Sequence, residues 1–216
     1  MSQIQSSFDA RSRFVILWAL AETWYPALVA LATAWVISGG NFIVLTVLSL
    51  LSAPIAALCQ LPLLRGRVHQ SWLWVLAGIG SAILFQLLFT VIFTRFAGGV
   101  FPQQGGGLSE WLPYFLLSGA MAGVAMGLPQ SVAMAQWKLG AMGWFFVVLG
   151  ASLIVSAIGG VVWVMSGAGG ATGEPPPPWA AALSAAVRQV AFGAITGVYL
   201  WQRLAQRSVD AAPRVP

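Results

Sequence analysis

Six stretches of twenty or more predominantly apolar residues run through the chain, separated by short polar or Gly- and Pro-rich connections. Crossing a hydrocarbon layer of ~30 Å takes about 20 such residues in helical form. Inside lipid a backbone must satisfy its own polar groups, so stretches of this kind become helices. The spacing predicts spans at Phe14–Ile37, Phe42–Leu64, Ser71–Thr94, Trp111–Ala135, Gly140–Met165 and Pro178–Leu204.

Apolar residues make up 59% of the chain and charged residues 7%. A soluble domain carries charge on roughly a quarter of its residues, so a water-facing surface all round is excluded. The expected fold is an all-α polytopic membrane protein, one membrane domain over residues 1–216 with short tails at 1–13 and 205–216 and no separate soluble domain. The first span is too long and too polar in its middle for a signal-peptide core. Its flank also lacks a small-residue cleavage pattern, so it is expected to persist. The net charge of +5 does not point to nucleic acid, because the cations sit beside apolar segments. Cys59 is the single cysteine and serves as a small packing residue.

The connections after the second and fourth spans are short: Arg65 to Gln70, and the turn around Lys138 and Leu139. Those after the third and fifth are longer and include Gln103 to Gly107 and Gly173 to Pro178. Arg11, Arg13, Arg65, Arg67, Lys138, Arg203, Arg207 and Arg214 fall on one side if both termini share it, while the other side holds Arg95 with Glu110 and Glu174. Basic residues stay on the cytoplasmic side of a bilayer, which predicts a multi-pass protein of the cell membrane with both termini in the cytoplasm.

Within the spans the sequence echoes itself at a shift of seventy residues. Ala53, Ala57 and Gln60 fall on Gly123, Gly127 and Gln130, and the small pair recurs as Gly193 and Gly197 with Leu200 in place of Gln. Trp74 and Gly80 fall on Trp144 and Gly150; Trp18 with Trp24 is the first copy, lacking the Gly. A fixed period marks a copied supersecondary unit. Here it is a helical hairpin, giving repeats at about 14–64, 71–135 and 140–204. Tandem copies entering the membrane in the same direction are parallel repeats, related by an axis along the membrane normal. Three of them can close into a pseudo-threefold bundle, with the return helices as the expected inner ring. Residues at i, i+4 and i+7 share a helix face. Ala53, Ala57, Gly123, Gly127, Gly193 and Gly197 are therefore read as packing seams, from which Gln60 and Gln130 reach across to a neighbouring helix.

The string Gly123-x-x-x-Gly127-x-x-Gln130 followed by Trp144, with Gly193-Ala194-Ile195-Thr196-Gly197, resembles a pattern in small bacterial six-helix membrane proteins of uncharacterised function. Such proteins often carry Gln-Trp after the second small residue, where this chain has Leu61 and Ser131. The resemblance implies a bacterial inner-membrane protein and transfers no activity.

Two ionisable groups lie inside spans, where each costs on the order of 2.5–3.5 kcal/mol unless paired or wetted. Glu22 falls at nearly the depth of Gln60 and Gln130; Arg188 and Gln189 fall level with Gln86. Two polar layers are thus expected, about 10 Å apart in depth, too far for a Glu22–Arg188 ion pair. For Glu22, Gln60 and Gln130 two readings stand: a proton- or ligand-binding site, or hydrogen bonds that fix helix packing. Arg188 is expected to snorkel toward the outer interface, in the direction of Glu174 or Glu110. Most of the tryptophans are assigned to interfacial belts. His69 has no second ligand near it, and no metal or cofactor is expected. No phosphate-binding Gly loop, His-Glu-x-x-His or Ser elbow is present, so an enzyme is not expected. The first functional expectation is a non-enzymatic membrane module that binds a partner protein, lipid or pigment through its helix seams. The alternative is a small transporter or substrate-binding membrane subunit using Glu22, Gln60 and Gln130.

Overall fold

The computed structural model describes residues 2–37, 42–96, 108–165 and 178–210. They form six helices: α1 Ser2–Ile37, α2 Phe42–Leu64, α3 Leu73–Phe96, α4 Leu108–Gln136, α5 Ala141–Met165 and α6 Pro178–Asp210. Four stretches are long and apolar enough to cross a membrane: Leu73–Ile92, Leu108–Gln136, Ala141–Val162 and Ala182–Arg207. In α2, Leu50–Leu64 is a shorter apolar run. The connections carrying Gln103 to Gly107 and Glu174 with the Pro run lie outside the described residues, as does Arg214.

The helices match the expected spans closely at α2 and differ at the chain ends. α1 begins twelve residues before its expected apolar span and α6 continues six beyond, so nearly all of the first tail and half of the second are helix. The physical reason is helix cooperativity: nucleation is the costly step, and polar residues extend an apolar helix already formed.

Two turns set the end at which the short connections lie. After α2, Gly66 takes a φ of 76°. After α4, Leu139 N donates to Met134 O and Lys138 N to Ala135 O, the paired bonds of a Schellman cap. Its left-handed position is held by Lys138, with φ 57°. A left-handed L-residue costs roughly 1–2 kcal/mol where Gly would cost nothing.

Each helix packs against its neighbours in sequence, and α1 closes on α6; among the described residues no other pair of helix backbones comes close. The helices therefore form a closed ring. The backbones of the return helices α2, α4 and α6 do not approach one another, so the expected close-packed inner ring of return helices is not formed. Side chains fill the middle instead.

The small residues close three of the six interfaces. Gly78 of α3 sits against the Ala53 backbone and the Ala57 side chain of α2, where an added Cβ would lie 2.9 Å from each. Gly123 and Gly127 of α4 face Leu149, Ser152 and Phe145 of α5. Gly193 of α6 faces the backbone of Ala19 of α1, and Gly197 faces Trp18. Every seam thus joins a return helix to the next outgoing one, α6 to α1 included, rather than the two helices of one hairpin.

Candidate functional site

Three indoles occupy the ring's centre at the short-turn end. Trp18 of α1, Trp74 of α3 and Trp144 of α5 are fully buried. The Trp18–Trp74 and Trp74–Trp144 ring centroids are both 5.5 Å apart. Around them lie Phe14, Leu64, Met134, Trp137, Val148 and Leu200. This overturns the interfacial assignment for these three tryptophans. They point inward because a ring whose non-neighbouring backbones stay apart leaves an axial space that large side chains fill.

A buried indole N–H is a donor with no acceptor function, so it needs an oxygen nearby. Each finds one on the adjoining return helix. Trp74 Nε1 donates to Gln60 Oε1 at 2.6 Å, and Trp144 Nε1 donates to Gln130 Oε1 at 3.1 Å. Trp18 Nε1 donates to Thr196 Oγ1 at 3.2 Å, which itself donates to Phe192 O. Leu200 fills the position of a third Gln and is fully buried, while Thr196, one turn away, supplies the acceptor.

The first of these pairs extends further. Because Trp74 can only donate, the Gln60 oxygen must face it, and the amide nitrogen then faces away. That nitrogen donates to Glu22 Oε1 at 2.7 Å. Trp74, Gln60 and Glu22 form one bonded chain from α3 through α2 to α1, with Gln60 and Glu22 buried. Trp24 Nε1 and Cys59 Sγ, 3.3 Å apart, tie α1 to α2 beside it. Gln130 is not bonded to this chain; it is linked through Trp144, whose ring meets Trp74 edge-on. The expected layer is therefore a bonded Glu22–Gln60 pair plus a separate Gln130.

Arg188, Gln189 and Gln86 are less closely joined. Arg188 Nε donates to Ser184 O at 3.4 Å, one turn toward the N-terminus of α6, and the side chain lies over Gly159 of α5. A Cβ at Gly159 would sit 2.6 Å from Arg188 Cδ, so the glycine makes room for the arginine. Gln86 and Gln189 are half-buried, and no described hydrogen bond joins them to each other or to Arg188. Among the described residues no group of His, Cys, Asp and Glu is placed to hold a metal ion.

At the short-turn end the Arg67 guanidinium carbon lies 5.1 Å from both the Phe14 and Trp201 ring centroids, bridging α1 and α6 from the α2–α3 turn.

The indole acceptors were the unread part of the sequence. Their signal was present: Gln and Trp stand fourteen residues apart in both the Gln60–Trp74 and Gln130–Trp144 pairs. Thr196 had no such signal, since its partner is 178 residues away. No protein family, curated protein or solved structure matches the chain.

Proposed function

We propose that the chain is a non-enzymatic membrane module, three hairpins arranged about an axis normal to the bilayer, lying in the cell membrane with the short turns and both termini in the cytoplasm. The observation that carries this reading is the pairing of the three central indoles with the helices around them: Trp18, Trp74 and Trp144 each have an acceptor for the ring N–H, and Gln60 is bonded at both ends of its amide. Such bonds between membrane helices fix register and packing. The small-residue seams are occupied within the chain, so a partner protein, lipid or pigment would meet the outward faces, where Ile83, Leu87 and Val91 of α3 are exposed. Purification at native level in mild detergent, with mass spectrometry of what accompanies the chain, tests this. A co-purifying component is expected; a monodisperse chain with nothing bound argues against the module.

One observation favours a second reading, transport or substrate binding. Glu22 is a buried carboxyl bonded to Gln60 and without a counterpart in the other two hairpins. Intramembrane acids that face a protein interior commonly serve ion or solute pathways. Glu22→Gln keeps an acceptor for Gln60 and removes the ionisable group. Loss of uptake or solute binding at unchanged expression selects this reading; retention of both selects the module.

A further inference from the structure

The α5–α6 interface is built unlike the other five. At the short-turn end, Tyr199 OH of α6 donates to Gly140 O at 3.3 Å, and Arg203 Nε donates to the same hydroxyl at 3.0 Å. Arg203 Nη1 is held by Gln206 Oε1 at 3.2 Å, and its guanidinium carbon lies 5.0 Å from the Tyr199 ring centroid. A cavity of about 320 Å³ opens beside it, lined by Lys138, Leu139, Gly140, Arg203, Gln206 and Arg207. The lining carries three cations and no acidic side chain. One of those cations, Lys138, occupies the left-handed position of the α4 cap, where glycine would be unstrained.

Below the cavity a pocket of open space lies beside Gly150 of α5. Gly143 of α5 faces Tyr199, and Gly150 lies two turns further along the same face. A Cβ added at Gly150 would meet nothing within 4 Å. That leaves open space beside α5 about 10 Å along the helix from Gly143, on the face that meets Tyr199. On the lipid side of α5, Met142 and Phe146 are 69% and 61% exposed.

We propose that this cavity and the opening beneath it bind one anionic phospholipid, the headgroup phosphate against Lys138, Arg203 and Arg207 and an acyl chain along the gap at Gly150. Basic pockets between helix ends on the cytoplasmic side suit anionic headgroups, and a planar guanidinium already held in place suits phosphate oxygens. A second cavity at the same end, of about 430 Å³, serves as the internal comparison. It is lined by Arg13 and Arg67 but also by Asp9, so it carries its own counter-charge. The inference rests on the membrane-module reading but not on Glu22, and Glu22→Gln is expected to leave lipid retention unchanged.

The test uses the full chain, delipidated and then titrated with dioleoyl phosphatidylglycerol or dioleoyl phosphatidylcholine, with bound lipid read by native mass spectrometry. Phosphatidylglycerol is expected to bind at least tenfold more tightly. Each juxtamembrane cation contributes about fivefold to anionic-lipid binding, so Lys138→Gln with Arg207→Gln is expected to cost about 25-fold. Both side chains are exposed, so this double variant probes charge without touching the Tyr199 contact. Gly150→Leu is expected to weaken retention with all three cations intact. Arg13→Gln with Arg67→Gln is expected to change binding less than threefold. Equal binding of the two lipids, or no loss in the Lys138/Arg207 variant, overturns the proposal. Full displacement of phosphatidylglycerol by inorganic phosphate also overturns it, by showing a free-anion site.

Discussion

Replacing Gln60 by Leu separates the bonded chain from simple packing. Leu is close to Gln in volume, so little cavity is left and the measured cost reports mainly on hydrogen bonds. The substitution strands the Trp74 N–H, whose acceptor at 2.6 Å is gone, and removes the donor to Glu22 at 2.7 Å. A stranded buried donor costs about 1–3 kcal/mol, and hydrogen bonds between membrane helices measure ~0.6 kcal/mol on average with a maximum near 1.7. Two lost bonds therefore predict a loss of about 2–3 kcal/mol for Gln60→Leu. Gln130→Leu breaks a single described bond, that from Trp144 at 3.1 Å, and is expected to cost about 1 kcal/mol. The assay is reversible unfolding in mixed detergent micelles, followed by tryptophan emission, since the probes sit at the site itself. A double-mutant cycle adds the decisive number. Glu22→Leu and Gln60→Leu are expected to couple by about 1 kcal/mol, while Glu22→Leu and Gln130→Leu add within ~0.5 kcal/mol. Equal coupling of Glu22 to both glutamines, or a neutral Gln60→Leu, would refute the bonded-chain account.

Three further outcomes follow from named contacts. Gly193→Ala places a Cβ 2.6 Å from Ala19 Cα on a backbone that cannot yield, and is expected to destabilise by about 1–3 kcal/mol; Gly150→Ala meets open space and is expected to gain about 0.5–1 kcal/mol from helix propensity, both read by the same unfolding assay. Thr196→Val keeps the shape but leaves Trp18 Nε1 without its oxygen, and a loss of about 1–2 kcal/mol should appear in thermal melts of the detergent-solubilised chain. Ser152 Oγ is buried with no hydrogen-bond partner, so Ser152→Ala is expected to raise the melting temperature slightly; a fall would show that the hydroxyl has a role in the α4–α5 seam.

Much of the candidate site was legible before the structure, but not its wiring. The depth of Glu22 beside Gln60 followed from counting residues at a fixed rise per residue, and the two are bonded. Gln130 stands at the same count yet bonds elsewhere, because depth says nothing about azimuth around a ring. Azimuth is normally read from an amphipathic stripe. Membrane helices that are apolar nearly all round give no such stripe, which is why Trp18, Trp74 and Trp144 read as belt residues although they point inward.

What the sequence determined by itself is the set of helices, their order, the short turns at Gly66 and Lys138, and the small-residue seams, because hydrocarbon thickness and backbone satisfaction act on local stretches of chain. What only the tertiary structure decided is which surfaces meet. The seams join return helices to the next outgoing helix, α1 closes on α6, Thr196 stands in where Leu200 replaces a glutamine, and Gly150 is left with open space beside it. Those choices depend on closing the ring, and the closing contact lies between residues 178 positions apart, beyond the reach of any local pattern.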